Sequence, residues 1–114
     1  MKVLVCGSRY YSDFWKIVAV ISSLDIDLII AGGCRGADTL AVRAARQCSI
    51  RYVEYPADWQ RFGKSAGPKR NQQMVDLENP DLLLVFHEDL SRSKGTRDML
   101  HRAIKADVPY RIFT

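Results

Sequence analysis

Five short apolar runs recur along the chain, and each is nearly continuous instead of alternating with polar residues. They are Val3 to Cys6, Asp27 to Ala31, Arg51 to Tyr55, Asp81 to Phe86 and Tyr110 to Phe113. Continuous runs of this length are typical of strands that are covered on both faces, as in parallel sheets. The pattern therefore predicts five buried strands.

Amphipathic segments separate these runs. The apolar positions from Ala37 to Cys48 recur at helical spacing, and similar faces occur around Phe14 to Ile21 and Met99 to Ile104. The alternation predicts an α/β fold with a single Rossmann-like, doubly wound, mostly parallel five-stranded sheet and helices on both faces. The Gly- and Pro-containing stretch from Pro56 to Asn71 is interpreted as an irregular loop before a short helix to about Asp76.

Length and composition narrow the class of protein. A chain of 114 residues with 47% hydrophobic and 26% charged residues is expected to form one domain, residues 1–114. The three cysteines have no CxxC spacing, and no membrane-length apolar run is present. We expect a soluble, cytoplasmic protein that holds no structural metal and no cofactor and has no membrane partner.

Glycine-rich and polar motifs follow four of the predicted strands. Ligands of open parallel sheets bind outside the carboxyl ends of the strands, so these motifs are expected to share one rim. The net charge of +4 is spread along the sequence without a long basic run, which favours a local phosphate site over a nucleic-acid stripe. The residues expected to contact the ligand are Gly7, Ser8, Arg9, Gly32, Gly33, Arg35, Gly36, Asp58, Trp59, Lys64, Asn71, Gly95 and Thr96.

Two of these motifs have the composition of an anion-binding turn. The glycines from Gly32 to Gly36 allow close backbone approach before a predicted helix, whose first amides would face an anion. Gly95 and Thr96 form a similar glycine-containing start of another predicted helix, with Thr96 as a capping residue. Both segments are also compatible with a strand-to-helix turn that binds no ligand. Both interpretations, a phosphate site and a structural turn, therefore remain open.

Charged side chains near these turns are the candidates for catalysis. Arg70, placed in the Pro56 to Asn71 loop, is suited to bidentate phosphate contact. Asp38 and Asp98, each expected in the first turn of a helix, are the nearest carboxylates, although acids there are also favoured by the helix dipole. Cys34 has no histidine nearby in the sequence to act as its base.

Taken in order, the motifs resemble those of a YspA-like member of the SLOG superfamily, which includes the LOG phosphoribohydrolases and Smf-type DNA-processing proteins. The motifs are Gly7-Ser8-Arg9, Gly32 to Asp38, Tyr55 to Trp59, Gly63-Lys64, Ala66 to Asn71 and Gly95 to Met99. The resemblance implies a nucleotide ligand whose phosphate lies at the Gly32 and Gly95 loops. It also implies a homodimer.

The same resemblance raises the question of catalysis. LOG enzymes cleave the N-glycosidic bond of nucleoside monophosphates with a Gly-Gly-x-Gly-Thr-x-x-Glu loop and an arginine. Here Arg70 is similar in placement to that arginine, while the acid is Asp98, shorter and one position earlier.

The candidate residues and the resemblance support three hypotheses about function. The first is nucleotide N-glycosidase activity, in which Asp98 or Asp38 stabilises an oxocarbenium-like sugar and Arg70 holds the phosphate. The second is non-catalytic sensing of a nucleotide signal such as an ADP-ribose-like molecule. The third is single-stranded DNA binding of the Smf type, with aromatic rings as stacking platforms.

Overall fold

Five parallel strands form one sheet in the order β3-β2-β1-β4-β5. The computed structural model describes residues 1–114. The strands are β1 (Lys2–Gly7), β2 (Leu28–Ala31), β3 (Arg51–Glu54), β4 (Leu82–Phe86) and β5 (Tyr110–Phe113). Each predicted strand is present, and the predicted Rossmann-like α/β fold is confirmed. The edge strands β3 and β5 are exposed or half-buried and not buried as predicted, because each has a neighbour on one side only.

Helices connect the strands and cover both faces of the sheet. They are α1 (Phe14–Ser22), α2 (Ala37–Gln47), α3 (Trp59–Phe62), α4 (Ala66–Glu78) and α5 (Lys94–Lys105). The apolar side chains of α1 and α2 pack on one face, with Val3, Val5 and Phe86 of the sheet. Those of α4 and α5 pack on the other, with Leu4, Ile30 and Val85. None of these helices is long and apolar enough to cross a membrane.

The stretch from Pro56 to Asn71 is more regular than predicted. Asp58 caps α3 by accepting a hydrogen bond from the Arg61 amide, and a 3₁₀ turn over Gly63–Ser65 leads into α4. Pro68 occupies the first turn of α4, where a missing N–H costs no helical hydrogen bond. Arg70 and Asn71 therefore belong to a helix and not to a loop, which corrects the prediction.

The end of β1 meets the start of α2 in a very close contact. The Ser8 carbonyl accepts hydrogen bonds from the amides of Ala37 (3.0 Å) and Tyr11 (3.2 Å). Gly36 has φ of +74°, and a Cβ atom there would collide with the Ser8 and Arg9 backbone. A Cβ at Gly7 would collide with the Phe86 carbonyl in the same way. These contacts fix the rim of the sheet where the strand order reverses between β1 and β4.

We expect Gly36→Ala to lower the free energy of unfolding by about 2 kcal/mol or more, because it adds backbone strain at positive φ and a clash with Ser8. Urea denaturation of both proteins measures the difference. The matched control is Gly95→Ala in the first turn of α5, where a Cβ meets open space and stability should not fall. Equal stability of Gly36→Ala and wild type would contradict the close-contact interpretation.

Candidate functional site

A cleft of about 1180 Å³ opens above the carboxyl ends of β1 and β4. Its floor includes Gly7, Ser8 and Gly32, and its walls include the first turns of α4 and α5. This is the point at which the strand order reverses, where parallel α/β sheets bind their ligands.

Of the sixteen site residues predicted from the sequence, twelve line this cleft. They are Gly7, Ser8, Arg9, Gly32, Asp38, Trp59, Lys64, Arg70, Asn71, Gly95, Thr96 and Asp98. Four do not line it: Gly33, Arg35, Gly36 and Asp58. Gly36 packs beneath Ser8 and Asp58 caps α3, while Gly33 and Arg35 lie exposed on the loop after β2.

The loop after β2 differs from the expected anion-binding turn because protein groups already occupy two of its amides. The Cys34 amide donates to the Asp38 carboxylate (3.2 Å), and the Ala37 amide donates to the Ser8 carbonyl (3.0 Å). Asp38 thus takes the place that an external anion would need at this loop.

Burial raises the pKa of Asp38 to about 6, although its hydrogen bond from Cys34 and the charge of Arg70 act in the opposite direction. Only 8% of Asp38 is exposed. A carboxyl group with this pKa exchanges a proton near neutral pH at the base of the cleft.

Arg70, predicted to contact the phosphate from a loop, lies on α4 and makes several hydrogen bonds within the protein. Its Nη1 donates to the carbonyls of Gly32 and Tyr55, and its Nε donates to Asn71 Oδ1 at 3.0 Å. The guanidinium therefore ties the loops after β2 and β3 to α4, which leaves it fewer free donors for a phosphate.

Asp98 lies in the second turn of α5, one turn later than predicted. Its Oδ2 accepts hydrogen bonds from Arg102 Nε (2.8 Å) and Asn71 Nδ2 (3.0 Å). Partial burial acts to raise the pKa of Asp98, but the hydrogen bonds from Arg102 and Asn71 outweigh it and lower the pKa below its usual value. Asp98 is thus an ionised carboxylate on the cleft wall.

The start of α5 presents unused backbone donors to the cleft. Ser93, and not Thr96 as predicted, caps the helix by accepting from the Thr96 amide, while Thr96 Oγ1 donates to the Gly7 carbonyl (3.1 Å). The amides of Lys94 and Gly95 donate to no protein group. Both residues line the cleft, and the space beside Gly95 is open.

The positive charge of the protein is concentrated at this cleft, in contrast to its even spread along the sequence. Six basic residues line it against three acidic ones, which leaves eleven basic and ten acidic residues elsewhere. Apart from Arg70, the basic residues of the cleft make no salt bridge and no side-chain hydrogen bond; they are Arg9, Lys64, Arg92, Lys94 and Arg97. We call these five the cleft cations.

Several lining residues were missed by the sequence analysis. They are chiefly His87, Glu88, Arg92, Arg97 and His101. Most of them follow β4 or lie in the first two turns of α5. Their position between the end of a predicted strand and the helix that contains Gly95 was the sequence signal that could have identified them. No cluster of three or more His, Cys, Asp or Glu side chains is arranged to hold a metal ion.

Comparison with known proteins identifies the family. The sequence model of the YspA, cpYpsA-related SLOG family matches residues 1–62, which span β1 to α3. The chain belongs to this family. The Gene 61 protein of Mycobacterium phage D29 is 37% identical over 118 residues, covering 95% of this chain and 92% of that protein.

A solved structure supports the fold of this SLOG protein. DNA processing protein A (DprA) from Streptococcus pneumoniae superposes with a TM-score of 0.79 at 22% sequence identity. The match covers 97% of this chain and 49% of the DprA chain, so this protein spans about half the length of DprA. At that identity the likeness establishes a shared fold.

We expect Asp38 to make stability fall as the pH rises. The pKa of Asp38 in the folded protein is about 6, above the ordinary 3.8. The stabilisation that Asp38 contributes is therefore complete below about pH 4 and is lost as the pH rises through about 6. Relative to Asp38→Asn, the wild type should lose up to about 3 kcal/mol of unfolding free energy between pH 4 and 7. Urea denaturation across this range measures it; a difference independent of pH would contradict the raised pKa.

Proposed function

We propose that this protein binds a nucleotide or a nucleotide-derived anion in the cleft above β1 and β4. The observation that carries the proposal is the set of five cleft cations without protein partners, around a cleft that also exposes the free amides of Lys94 and Gly95. Unpaired charges of one sign repel one another, and an anionic ligand relieves that repulsion. The cleft volume of about 1180 Å³ suffices for a nucleotide.

The phosphate is assigned to the start of α5. Two free amides and the positive end of the helix dipole favour an anion there, and Arg92, Lys94 and Arg97 line the same cleft. The loop after β2, where Asp38 and the Ser8 carbonyl already accept from the Cys34 and Ala37 amides, is the poorer phosphate site of the two.

Exposed aromatic rings at the rim provide surfaces for a base. Trp59 is 56% exposed and lies over Gly67, where a Cβ would be 3.2 Å from its ring. Tyr10 is 77% exposed and lines the same cleft. Aromatic rings with one free face stack on nucleobases with little dependence on sequence.

We expect Lys94→Met to weaken binding of AMP and ADP-ribose by about tenfold to a hundredfold, because it removes a charged donor beside the phosphate. Isothermal titration calorimetry at low salt measures both ligands. The matched control is Lys105→Met in the last turn of the same helix, outside the cleft, which should bind as wild type does. Absence of binding by the wild type to every nucleotide would refute the proposed function.

Single-stranded nucleic acid is the alternative ligand, and one segment favours it. Residues 59–75 contain four basic and no acidic residues. Within this segment, Arg61 and Lys69 lie over the Phe62 ring, 4.9 and 4.7 Å from its centre. A short single-stranded oligonucleotide belongs in the same titrations, and tighter binding to it than to any mononucleotide would favour this alternative.

Hydrolysis of the N-glycosidic bond is a second candidate function. The observation that favours it is the ionised Asp98 carboxylate on the cleft wall, held in place by Asn71 and Arg102. A fixed carboxylate stabilises the positive charge that develops on the sugar as the bond to the base breaks. Asp98 would act there electrostatically, while its lowered pKa makes it a poor proton donor.

For this second candidate, we expect Asp98→Asn to reduce base release from nucleoside monophosphates about 100-fold with little change in affinity, because the charge acts mainly in the transition state. Chromatography of released base gives kcat, and calorimetry gives Kd. Asp107→Asn, outside the cleft, is the matched control. Base release by Asp98→Asn at the wild-type rate would exclude Asp98, and an intact nucleotide pool with wild type would exclude hydrolysis.

A further inference from the structure

His87 is a buried histidine at the cleft that the sequence analysis did not select. It follows β4 directly, and only 4% of it is exposed. Leu83 and Val85, four and two residues earlier, point into the core beneath α4 and α5. Alternation along the strand directs His87 to the same side, at the level where the cleft opens beside the start of α5.

A backbone hydrogen bond fixes the protonation pattern of this ring. His87 Nδ1 accepts from the Asp89 amide at 2.8 Å. In a neutral imidazole with an accepting Nδ1, the proton resides on Nε2. The ring therefore carries its single N–H donor on the atom away from the turn.

The Nε2 donor has no partner within the protein. The Asp89 amide is the hydrogen bond that the His87 ring makes. Every fully buried side-chain nitrogen or oxygen in the molecule has a hydrogen-bond partner. Because Nε2 has no partner, it is not fully buried. It opens on the cleft that His87 lines.

We propose that His87 Nε2–H is a fixed hydrogen-bond donor to a phosphate oxygen of the bound ligand, an inference that rests on the proposed function. The cleft cations are long and flexible, and they recognise charge without fixing its position. His87 is different because its ring is buried and its orientation is set by Asp89. A donor of this kind selects where the acceptor oxygen sits in the cleft, which the free amides of Lys94 and Gly95 also line.

A purely structural role for His87 is the competing explanation, since Nδ1 alone could support the turn after β4. Asparagine separates the two roles. Its Oδ1 can accept from the amide two residues later, as asparagines commonly do in turns, whereas its side chain is too short to present a donor at the position of Nε2. His87→Asn thus preserves the turn and removes the proposed donor.

The experiment compares wild type, His87→Asn and His87→Phe in titrations with AMP, adenosine and inorganic phosphate. We expect His87→Asn to keep its melting temperature within a few degrees and to bind AMP and phosphate at least about tenfold more weakly, with adenosine binding unchanged. His87→Phe, which has an aromatic ring without nitrogen atoms, should lose the same AMP and phosphate affinity. Lys105→Met, on the exposed surface of the last turn of α5 and outside the cleft, should change AMP affinity less than threefold.

Two outcomes overturn the inference while leaving the proposed function intact. One is AMP binding by His87→Asn at wild-type affinity, and the other is an equal loss for AMP and adenosine. A wild-type protein that binds no member of the panel refutes the proposed function itself. Long-range ¹⁵N NMR of the free protein tests the premise separately, because an Nδ1–H tautomer at His87 would overturn the inference before any ligand is added.

Discussion

The arrangement of the cleft depends on the contact between the end of β1 and the start of α2. Two amides, of Tyr11 and Ala37, converge on the Ser8 carbonyl, and this is possible because neither Gly7 nor Gly36 carries a Cβ. The same β1 end receives the Thr96 hydroxyl through the Gly7 carbonyl, so α5 is positioned by it as well. This one backbone contact thereby sets how α2 and α5 lie relative to the strand ends, and the cleft is the space above those ends.

Hydrogen bonds divide the cleft into a wall that is held by protein contacts and a free rim. Arg70, Asn71, Asp98 and Arg102 form a continuous chain of contacts from the Gly32 carbonyl across α4 to α5. The charged members of this chain, Arg70, Asp98 and Arg102, have protein partners, whereas the cleft cations have none. Charge that is already paired is engaged within the protein, and charge that is unpaired remains available for a ligand.

The sequence predicted the sheet well because its signal is local. Apolar runs and helical spacing located all five strands and the helices α1, α2 and α5. Arg70 was misassigned because its partners, Gly32 and Tyr55, lie 38 and 15 residues away, and only folding brings them to its guanidinium. His87 was not selected because it belongs to no recognisable motif, and its burial and its unpaired Nε2 are properties of the folded chain. The glycine-rich loops marked the correct rim, but the amides that stay free could be identified only from the structure.

A wall held by hydrogen bonds beside a rim of flexible cations has a consequence for ligand discrimination. Each long basic side chain loses rotational freedom when it closes on an anion, at a cost of up to about 2 kcal/mol of conformational entropy. Because the rim adapts, ligands that differ in shape but carry the same number of phosphates are expected to pay similar costs. The cleft should therefore rank ligands first by their charge, and it should separate those of equal charge by the enthalpy of the few contacts whose geometry the backbone sets.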